Sequence, residues 1–198
     1  MKKNIAFFDF DGTITTRDTL FEIIKFQKGA WSFYLGFARN LPVLFFYKLG
    51  LVSNQIAKEA ILKYFFAGMS VSDFQKQCDR FSDEILPHFI RPKAIDEINR
   101  LKKTGTEIVI VSASPANWIC KWSKTIGAVL IATDLQVDQE KITGKIENKN
   151  CHGEEKVRRI REVFNLDEFY EILCYGDSKA DKPMLSLGTS SFYKPFQN

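Results

Sequence analysis

Four runs of mainly apolar residues recur along the chain, and they limit the folds that it can adopt. The runs are NIAFFDF at 4–10, EIVIVSAS at 107–114, AVLIAT at 128–133 and EILCYGDS at 171–178, with SSFYKPF at 190–196 as a weaker fifth. Because these runs lack the alternation of a half-exposed strand, they predict strands buried on both faces, as in a parallel sheet. Helical patterns separate the runs, so the sequence predicts an α/β fold with a doubly wound, Rossmann-like parallel sheet.

Two segments between the predicted strands carry turn and capping signals. In SPANWICKWSKTIG at 114–127, Ser114 is a predicted N-cap and Pro115 the first helical residue. The alternating segment LQVDQEKITGKIENKN at 135–150 predicts a β-hairpin with its turn at Gly144.

Residues 16–90 interrupt this order because they contain no convincing strand pattern. Glycine and proline punctuate the segment, and the predicted helices cover 18–28, 30–40, 43–50, 54–67 and 71–86. The sequence therefore predicts a core domain made of residues 1–15 and 91–198, with an α-helical cap domain at 16–90 inserted after the first strand.

Composition restricts the function classes. The 198 residues suffice for one core with a small added domain. The net charge of +4 comes without a basic run or stripe, so the sequence predicts no nucleic-acid partner. The four cysteines are widely separated, and neither a C-x-x-C pair nor a signal-peptide pattern occurs, so we expect reduced thiols in a cytoplasmic protein.

Residues 30–52 are rich in large apolar side chains. Two basic residues, an asparagine and Pro42 interrupt the segment, so it predicts no transmembrane helix, which needs about 20 mainly apolar residues. Peripheral contact with a membrane stays open. The seven aromatic residues from Trp31 to Tyr47 allow three interpretations: the core of the cap, an apolar lid over the substrate, or a lipid-facing surface.

Polar side chains follow the ends of the predicted strands, where open parallel sheets bind ligands. They comprise two acids after the first strand, a serine in the second, two acids after the fourth and a lysine in the helix before it: Asp9, Asp11, Ser112, Asp177, Asp181 and Lys156. Because parallel strands end at the same edge of a sheet, we expect these side chains to meet there.

Carboxylates that lie this close repel one another, and a divalent cation relieves the repulsion. Oxygen ligands without nitrogen or sulfur suit Mg²⁺. Asp9 and Asp177 are the predicted direct ligands, with the backbone carbonyl of Asp11 as a third. Lys156 would complete a positive cradle for a phosphoryl group, since the charge on that group must be stabilised during transfer.

A carboxylate can also attack phosphorus and form an aspartyl phosphate. Asp9 and Asp11 are two residues apart, so both can face one substrate while the second transfers protons. Gly12 lets the chain turn away immediately afterwards. The Ser112 hydroxyl and nearby backbone N–H groups, such as that of Ala113, can hold the remaining phosphoryl oxygens.

Together these positions resemble the four sequence motifs of the haloacid dehalogenase (HAD) superfamily. The motifs are D-x-D-G-T at Asp9–Thr13, Ser112 at the end of an apolar strand, Lys156, and G-D-S-x-x-D at Gly176–Asp181. Their order and spacing match the phosphatases of the superfamily along almost the whole chain. A helical insertion directly after the first motif, with only a hairpin between the second and third, resembles the phosphoserine phosphatase-like branch (subfamily IB).

The resemblance implies a role for each matching position. Asp9 would be the nucleophile, Asp11 the acid/base, Ser112 and Lys156 phosphoryl ligands, and Asp177 a magnesium ligand, with Asp181, Gly12 and Thr13 in support. Asp18 falls where the phosphoserine enzymes carry an acid that recognises the substrate amine, but it is equally well placed to be a helix N-cap.

The sequence therefore predicts a magnesium-dependent phosphomonoester phosphatase with an aspartyl-phosphate intermediate on Asp9. The resemblance implies a small phosphorylated metabolite such as phosphoserine, whereas the apolar cap segment favours a lipid phosphate such as phosphatidylglycerophosphate. Two alternatives stay open: a phosphotransferase with an acceptor other than water, and a non-catalytic phosphoaspartate signalling or binding module. Signalling receivers, however, lack both the helical insertion at 16–90 and the G-D-S-x-x-D motif.

Overall fold

A five-stranded parallel sheet forms the centre of the computed structural model, which describes residues 3–197. The strands of the chain are β1 (Lys3–Phe8), β2 (Glu107–Pro115), β3 (Val129–Thr133), β4 (Leu135–Asp138), β5 (Lys141–Ile146), β6 (Phe169–Gly176) and β7 (Ser190–Tyr193). Their order in the main sheet is β3-β2-β1-β6-β7, and every neighbouring pair is parallel. The prediction of a parallel α/β sheet is confirmed.

Helices cover both faces of this sheet and fill the segment after β1. They are α1 (Thr19–Arg39), α2 (Leu41–Lys48), α3 (Asn54–Phe66), α4 (Val71–Glu84), α5 (Pro92–Lys103), α6 (Ala116–Thr125), α7 (Glu154–Val163) and α8 (Lys182–Leu185). The predicted helices at 18–28 and 30–40 are the two halves of α1, which breaks at Gly29, where φ is +79°. A positive φ interrupts a right-handed helix, and glycine is the residue that adopts it most readily.

The central strand β1 is buried on both faces, as its apolar run predicts. Ala6 and Phe8 face a core to which α5 and α6 contribute, and this core continues into the cap helices. Ile5 and Phe7 face a second core, to which α7 and α8 contribute. Because side chains alternate along a strand, one continuous apolar run can supply both cores.

The chain leaves the sheet for the helical segment and returns to it by two adjacent passages. The backbone N–H of Thr16 donates to the carbonyl of Phe89 at 2.7 Å, and that of Arg91 donates to the carbonyl of Ile14 at 2.8 Å. Helices α1 to α4 therefore enter and leave the sheet at one place, beside the carboxyl end of β1.

The hairpin lies at β4 and β5, but the prediction of its turn at Gly144 is wrong. The turn falls at Gln139 and Glu140, which have φ values of +44° and +59°. Gly144 lies inside β5, with φ at +79°. A Cβ at Gly144 would lie 2.6 Å from the backbone nitrogen of Lys63, so the absence of a side chain here allows α3 to pack closely against β5.

The same hairpin is hydrogen-bonded to the cap through backbone groups. The N–H of Gly68 donates to the carbonyl of Ile142 at 2.8 Å, and the N–H of Ile142 donates to the carbonyl of Met69 at 2.9 Å. The N–H of Val71 donates to the carbonyl of Glu140 at 2.9 Å. The helical segment is thus held to the core at a second place, remote from the passages beside β1.

Within residues 3–197, none of the helices combines the length and the apolar character that crossing a bilayer requires. Cys78, Cys120, Cys151 and Cys174 are free thiols. Three of these thiols are buried, and only Cys120 is partly exposed.

We expect the contact at Gly144 to contribute measurably to stability. Gly144→Ala should lower the free energy of unfolding by about 3 kcal/mol, because it combines a left-handed backbone with a collision against α3. Gly68→Ala is the matched control, since φ at Gly68 is +85° but no atom lies within 4 Å of a Cβ there; it should cost about 1 kcal/mol. Urea unfolding measures both, and equal losses would contradict this account.

Candidate active site

A cavity of about 360 Å³ lies between the carboxyl edge of the sheet and the cap helices. Asp9, Asp11 and Lys156 line it from the core, and Asp18 and Lys58 line it from the cap. Open parallel sheets bind ligands at this edge. The structure therefore brings three of the predicted acids, Asp9, Asp11 and Asp181, and the predicted lysine to one cavity, together with charged groups of the cap. The fourth predicted acid, Asp177, does not line this cavity.

The turn after β1 places two carboxylates at this edge. The N–H of Asp9 donates to the carbonyl of Tyr175 in β6 at 2.9 Å, which continues the strand pairing. Residues Phe10–Ile14 then form an irregular turn in which Asp11 and Gly12 are not helical and φ of Gly12 is +85°, and the N–H of Thr15 closes it by donating to the carbonyl of Phe10 at 3.0 Å. A Cβ on Gly12 would lie 2.9 Å from the Cγ of Asp177, so the glycine allows both the turn and the approach of that acid.

Lys156 lies between two of the acids. Its Nζ donates to Oδ1 of Asp9 and to Oδ1 of Asp181, both at 2.6 Å, and its side chain is only 2% exposed. Burial by itself lowers the pKa of Lys156, but the charges of Asp9 and Asp181 outweigh burial and raise the pKa overall. Lys156 therefore stays protonated and supplies a positive charge within the acidic cluster.

Asp9 has an unusual protonation equilibrium. Burial raises its pKa to about 7, against the opposing charge of Lys156, and the negative charges of Asp181 and Asp11 add to the increase. The positive charge of Lys156 opposes this increase but does not offset the effect of burial on the pKa of Asp9.

A threonine hydroxyl marks the point where two carboxylates converge. Oγ1 of Thr13 lies 3.1 Å from Oδ2 of Asp9 and 3.3 Å from Oδ1 of Asp177. Burial, and then the charge of Asp181, raise the pKa of Asp177. Ligand oxygens of Asp9, Asp177 and Asp181 lie within 4.8 Å of one another, and such an all-oxygen set with excess negative charge fits a hard divalent cation.

Asp181 is already engaged by protein groups. One of its oxygens accepts from Lys156, and the other accepts from the N–H of Ser178 at 2.9 Å and from its hydroxyl at 2.7 Å. These bonds fix the turn after β6 that carries Asp177. Asp181 is thus arranged to position Lys156 and this turn, whereas Asp9 and Asp177 offer the oxygens that face each other.

The carboxylate of Asp11 is held toward the cap. Its Oδ1 accepts from the N–H of Thr19 at 2.7 Å and from the Thr19 hydroxyl at 2.6 Å. Its Oδ2 accepts from the hydroxyl of Ser114 at 2.6 Å. The side chain therefore lies above the carboxyl ends of β1 and β2, at the base of α1.

The prediction that Ser114 caps α6 is wrong. Residue 114 still belongs to β2, Pro115 occupies the N-cap position, and the helix begins at Ala116. Ser112 is fully buried and lies below Ser114, whose N–H donates to the Ser112 hydroxyl at 3.0 Å. Ala113 and Ser114 line the cavity, whereas Ser112 does not. The sequence did not identify Ser114 as a site residue, because a serine directly before a proline is typical of a helix N-cap.

Asp18 caps the N-terminus of α1, which is one of the two roles that the sequence predicts for it. Its Oδ1 accepts from the N–H of Leu20 at 2.9 Å. Burial, and then the charge of Asp11, raise the pKa of Asp18 to about 6. Because the same side chain lines the cavity, its position also suits contact with a ligand.

Lys58 of α3 is a charged cavity residue that sequence reasoning missed. Its Nζ donates to the carbonyl of Ala113 at 2.9 Å. Burial lowers its pKa, and the charges of Asp18 and Asp11 oppose that effect. The one available signal was its spacing three residues before the buried Ile61, which places Lys58 on the inner face of α3.

The sequence model of haloacid dehalogenase-like hydrolases matches residues 6–186, and the chain belongs to this family. It is 33% identical to protein CicA of Caulobacter vibrioides over 96% of this chain and 85% of that protein. It is also 27% identical to a protein of Mycobacterium tuberculosis named as a probable phosphatase, over 98% of this chain and 69% of that protein.

Solved structures share the fold. A protein of unknown function from Bordetella pertussis Tohama I has a TM-score of 0.85 at 23% identity, over 98% of this chain and 90% of that chain. A substrate-bound phosphoserine phosphatase has a TM-score of 0.64 at 19% identity, over 96% of this chain and 85% of that chain. The predicted HAD membership, with a phosphoserine phosphatase-like fold, is confirmed.

We expect the buried ion pairs of Lys156 to be important for stability. In metal-free buffer, Lys156→Met should lower the free energy of unfolding by about 3 kcal/mol or more, because it leaves buried carboxylates without their cation. Lys121→Met is the control, since Lys121 pairs with Asp83 on the exposed surface and its removal should hardly change the unfolding midpoint. A neutral Lys156→Met variant would contradict this assignment.

Proposed function

We propose that this protein is a magnesium-dependent phosphomonoester phosphatase that forms an aspartyl phosphate on Asp9. The observation that carries the proposal is the buried Asp9 carboxylate, 2.6 Å from the ammonium of Lys156 at the floor of a cavity. Membership of a hydrolase family supports it, and so does the probable phosphatase among its relatives.

A magnesium ion fits the acidic cluster. Oxygens of Asp9 and Asp177 and the backbone carbonyl of Asp11 would hold the ion. When bound, the ion would supply the positive charge that keeps Asp9 ionised and offsets the charge on the phosphoryl oxygens. The raised pKa values of Asp9 and Asp177 agree with this assignment, because burial, and then the negative charge of Asp181, disfavour their ionised forms, and a bound cation would offset both effects.

In the first step, a carboxylate oxygen of Asp9 bonds to phosphorus as the ester P–O bond breaks. The proton on Asp11 passes to the departing alkoxide oxygen, so that a neutral alcohol leaves. In the second step, Asp11 takes a proton from water as the water oxygen bonds to phosphorus. The bond between Asp9 and phosphorus then breaks, which releases inorganic phosphate and restores both carboxyl groups.

Neighbouring groups would bind the phosphoryl oxygens and hold the acids in place. Lys156 offers its positive charge from below, and we assign the N–H of Ala113, which lines the cavity, to one of the remaining phosphoryl oxygens. Ser112 stays a proposed phosphoryl ligand, although its hydroxyl lies behind the cavity wall, 3.0 Å from the N–H of Ser114. The bonds of Thr19 and Ser114 to Asp11 orient its carboxylate. Such preorganised groups stabilise charge that develops during phosphoryl transfer.

Two substrate classes agree with the cavity. Asp18 and Lys58 offer opposite charges, which suits a small zwitterionic metabolite such as phosphoserine. Phe21, Phe37 and Leu44 form an apolar wall, which suits a lipid phosphate such as phosphatidylglycerophosphate. Water is the proposed phosphoryl acceptor, and transfer of the phosphoryl group to another acceptor is the alternative. We propose that the reaction takes place in the cytoplasm.

Asp9→Asn should reduce hydrolysis of para-nitrophenyl phosphate by on the order of 10,000-fold, because the amide cannot attack phosphorus. Asp96→Asn is the matched control, since Asp96 lies exposed on α5, and it should keep full activity. Substantial activity in Asp9→Asn would refute the covalent mechanism.

Asp11→Asn should separate the two chemical steps. An aryl leaving group needs little protonation, so formation of the phosphoenzyme should persist, whereas its hydrolysis should slow by about 100-fold or more. Acid quenching with a radiolabelled aryl phosphate should then detect labelled protein in Asp11→Asn but not in Asp9→Asn. A long-lived phosphoenzyme in the unaltered protein would instead favour a signalling module, and faster release with added alcohols would favour a phosphotransferase.

Asp177→Asn should raise the magnesium concentration for half-maximal activity by about tenfold or more, because it replaces a charged carboxylate ligand of the ion with a neutral amide. It should also abolish the increase in melting temperature that magnesium gives the unaltered protein. Asp96→Asn should show neither effect. An unchanged magnesium dependence in Asp177→Asn would exclude this residue as a ligand.

A further inference from the structure

Two cap helices expose an unusual amount of apolar surface. Trp31, Tyr34 and Leu35 in α1, and Leu41 and Phe45 in α2, are each at least 60% exposed, and Trp31 reaches 90%. We call these five residues the apolar cap surface. Large exposed apolar side chains that are concentrated in two consecutive helices are typical of interaction sites in soluble proteins.

These side chains are additional to the ones that fold the cap. Phe33, Phe37 and Leu44 lie in the same two helices and pack against the main core. The spacing of Trp31, Tyr34 and Leu35 gives them a common side of α1, and α2 buries none of its residues completely. The helices are therefore apolar both toward the core and toward solvent, which is atypical of an ordinary surface helix.

The charge around the apolar cap surface has one sign. Between Glu22 and Glu59 the sequence contains five basic residues and no acidic residue. Arg39 and Lys48, at the ends of α1 and α2, are both exposed. An apolar surface that carries a tryptophan and a tyrosine, in a segment whose charged residues are all basic, matches the interfacial region of an anionic bilayer.

This charge pattern disfavours a second copy of the chain as the occupant. A two-fold contact brings the same surface of each subunit together, so the basic residues of both copies would lie in one interface without an acidic partner from residues 23–58. Such like-charge contacts select against an interface. Anionic lipid headgroups, in contrast, supply the missing negative charge.

We propose that the apolar cap surface docks the protein on an anionic membrane, with Trp31 and Phe45 in the headgroup region and Arg39 and Lys48 against lipid phosphates. Phe37 and Leu44 of the docking helices also line the cavity, so docking places the cavity next to the lipid surface. If the proposed phosphatase activity holds, which this last step requires, the substrate class is a phosphate ester on a lipid headgroup.

Co-sedimentation of the full chain with vesicles tests the docking. The probes are vesicles of phosphatidylcholine alone and of phosphatidylcholine mixed equally with phosphatidylglycerol. We expect binding to the mixed vesicles that weakens with added salt. Tryptophan emission should shift to the blue on binding, because Trp31 is exposed whereas Trp118 and Trp122 are buried, and Trp31→Phe should remove this shift.

Two double variants with matched controls locate the surface. Trp31→Ser with Phe45→Ser, and Arg39→Glu with Lys48→Glu, should each weaken vesicle binding by on the order of tenfold or more. Their controls are Tyr170→Ser with Val163→Ser, and Lys103→Glu with Lys124→Glu, which alter exposed residues elsewhere on the core. The control variants should bind as the unaltered protein does.

Three outcomes would overturn the docking proposal: no binding to mixed vesicles, equal binding by the four double variants, or a dimer in sedimentation velocity that Trp31→Ser with Phe45→Ser dissociates. Hydrolysis of para-nitrophenyl phosphate separates docking from catalysis. All four double variants should keep it, because none of their residues lines the cavity. Vesicle binding by a protein without this hydrolysis would support docking and refute the proposed phosphatase.

Discussion

The site depends on one buried cation, the ammonium group of Lys156. It joins Asp9 at the end of β1 to Asp181 after β6, and it is itself carried by α7. Without it, two carboxylates in a buried position would repel, and one of them would take up a proton. Because Asp181 also holds Ser178, the same charge indirectly fixes the turn that presents Asp177.

The sheet was predictable because its physical requirements are strict. A strand covered by helices on both faces needs apolar side chains in both directions, and the runs that became β1, β2, β3 and β6 meet this condition. The acids of the site were predictable for a related reason. Parallel strands end at one edge, so the polar residues that end β1 and β6 must lie near each other.

Other features depend on contacts that no local pattern contains. A glycine with positive φ signals either a turn or a close approach, and Gly144 is the second case because α3 lies against it. Ser114 resembles a helix cap until the length of β2 is known. Lys58 is an ordinary helix residue in sequence, and only the packing of α3 against the core brings its ammonium group to Ala113.

The backbone hydrogen bonds between the hairpin and the cap affect how ligands reach the cavity. A cap attached only through the passages beside β1 would be free to swing away from the sheet. The bonds of Ile142 to Gly68 and Met69 hold it at a second place, and breaking several backbone hydrogen bonds at once is costly. The hairpin therefore opposes an outward swing of the cap, and a ligand that needed a wider entrance would have to break these bonds first.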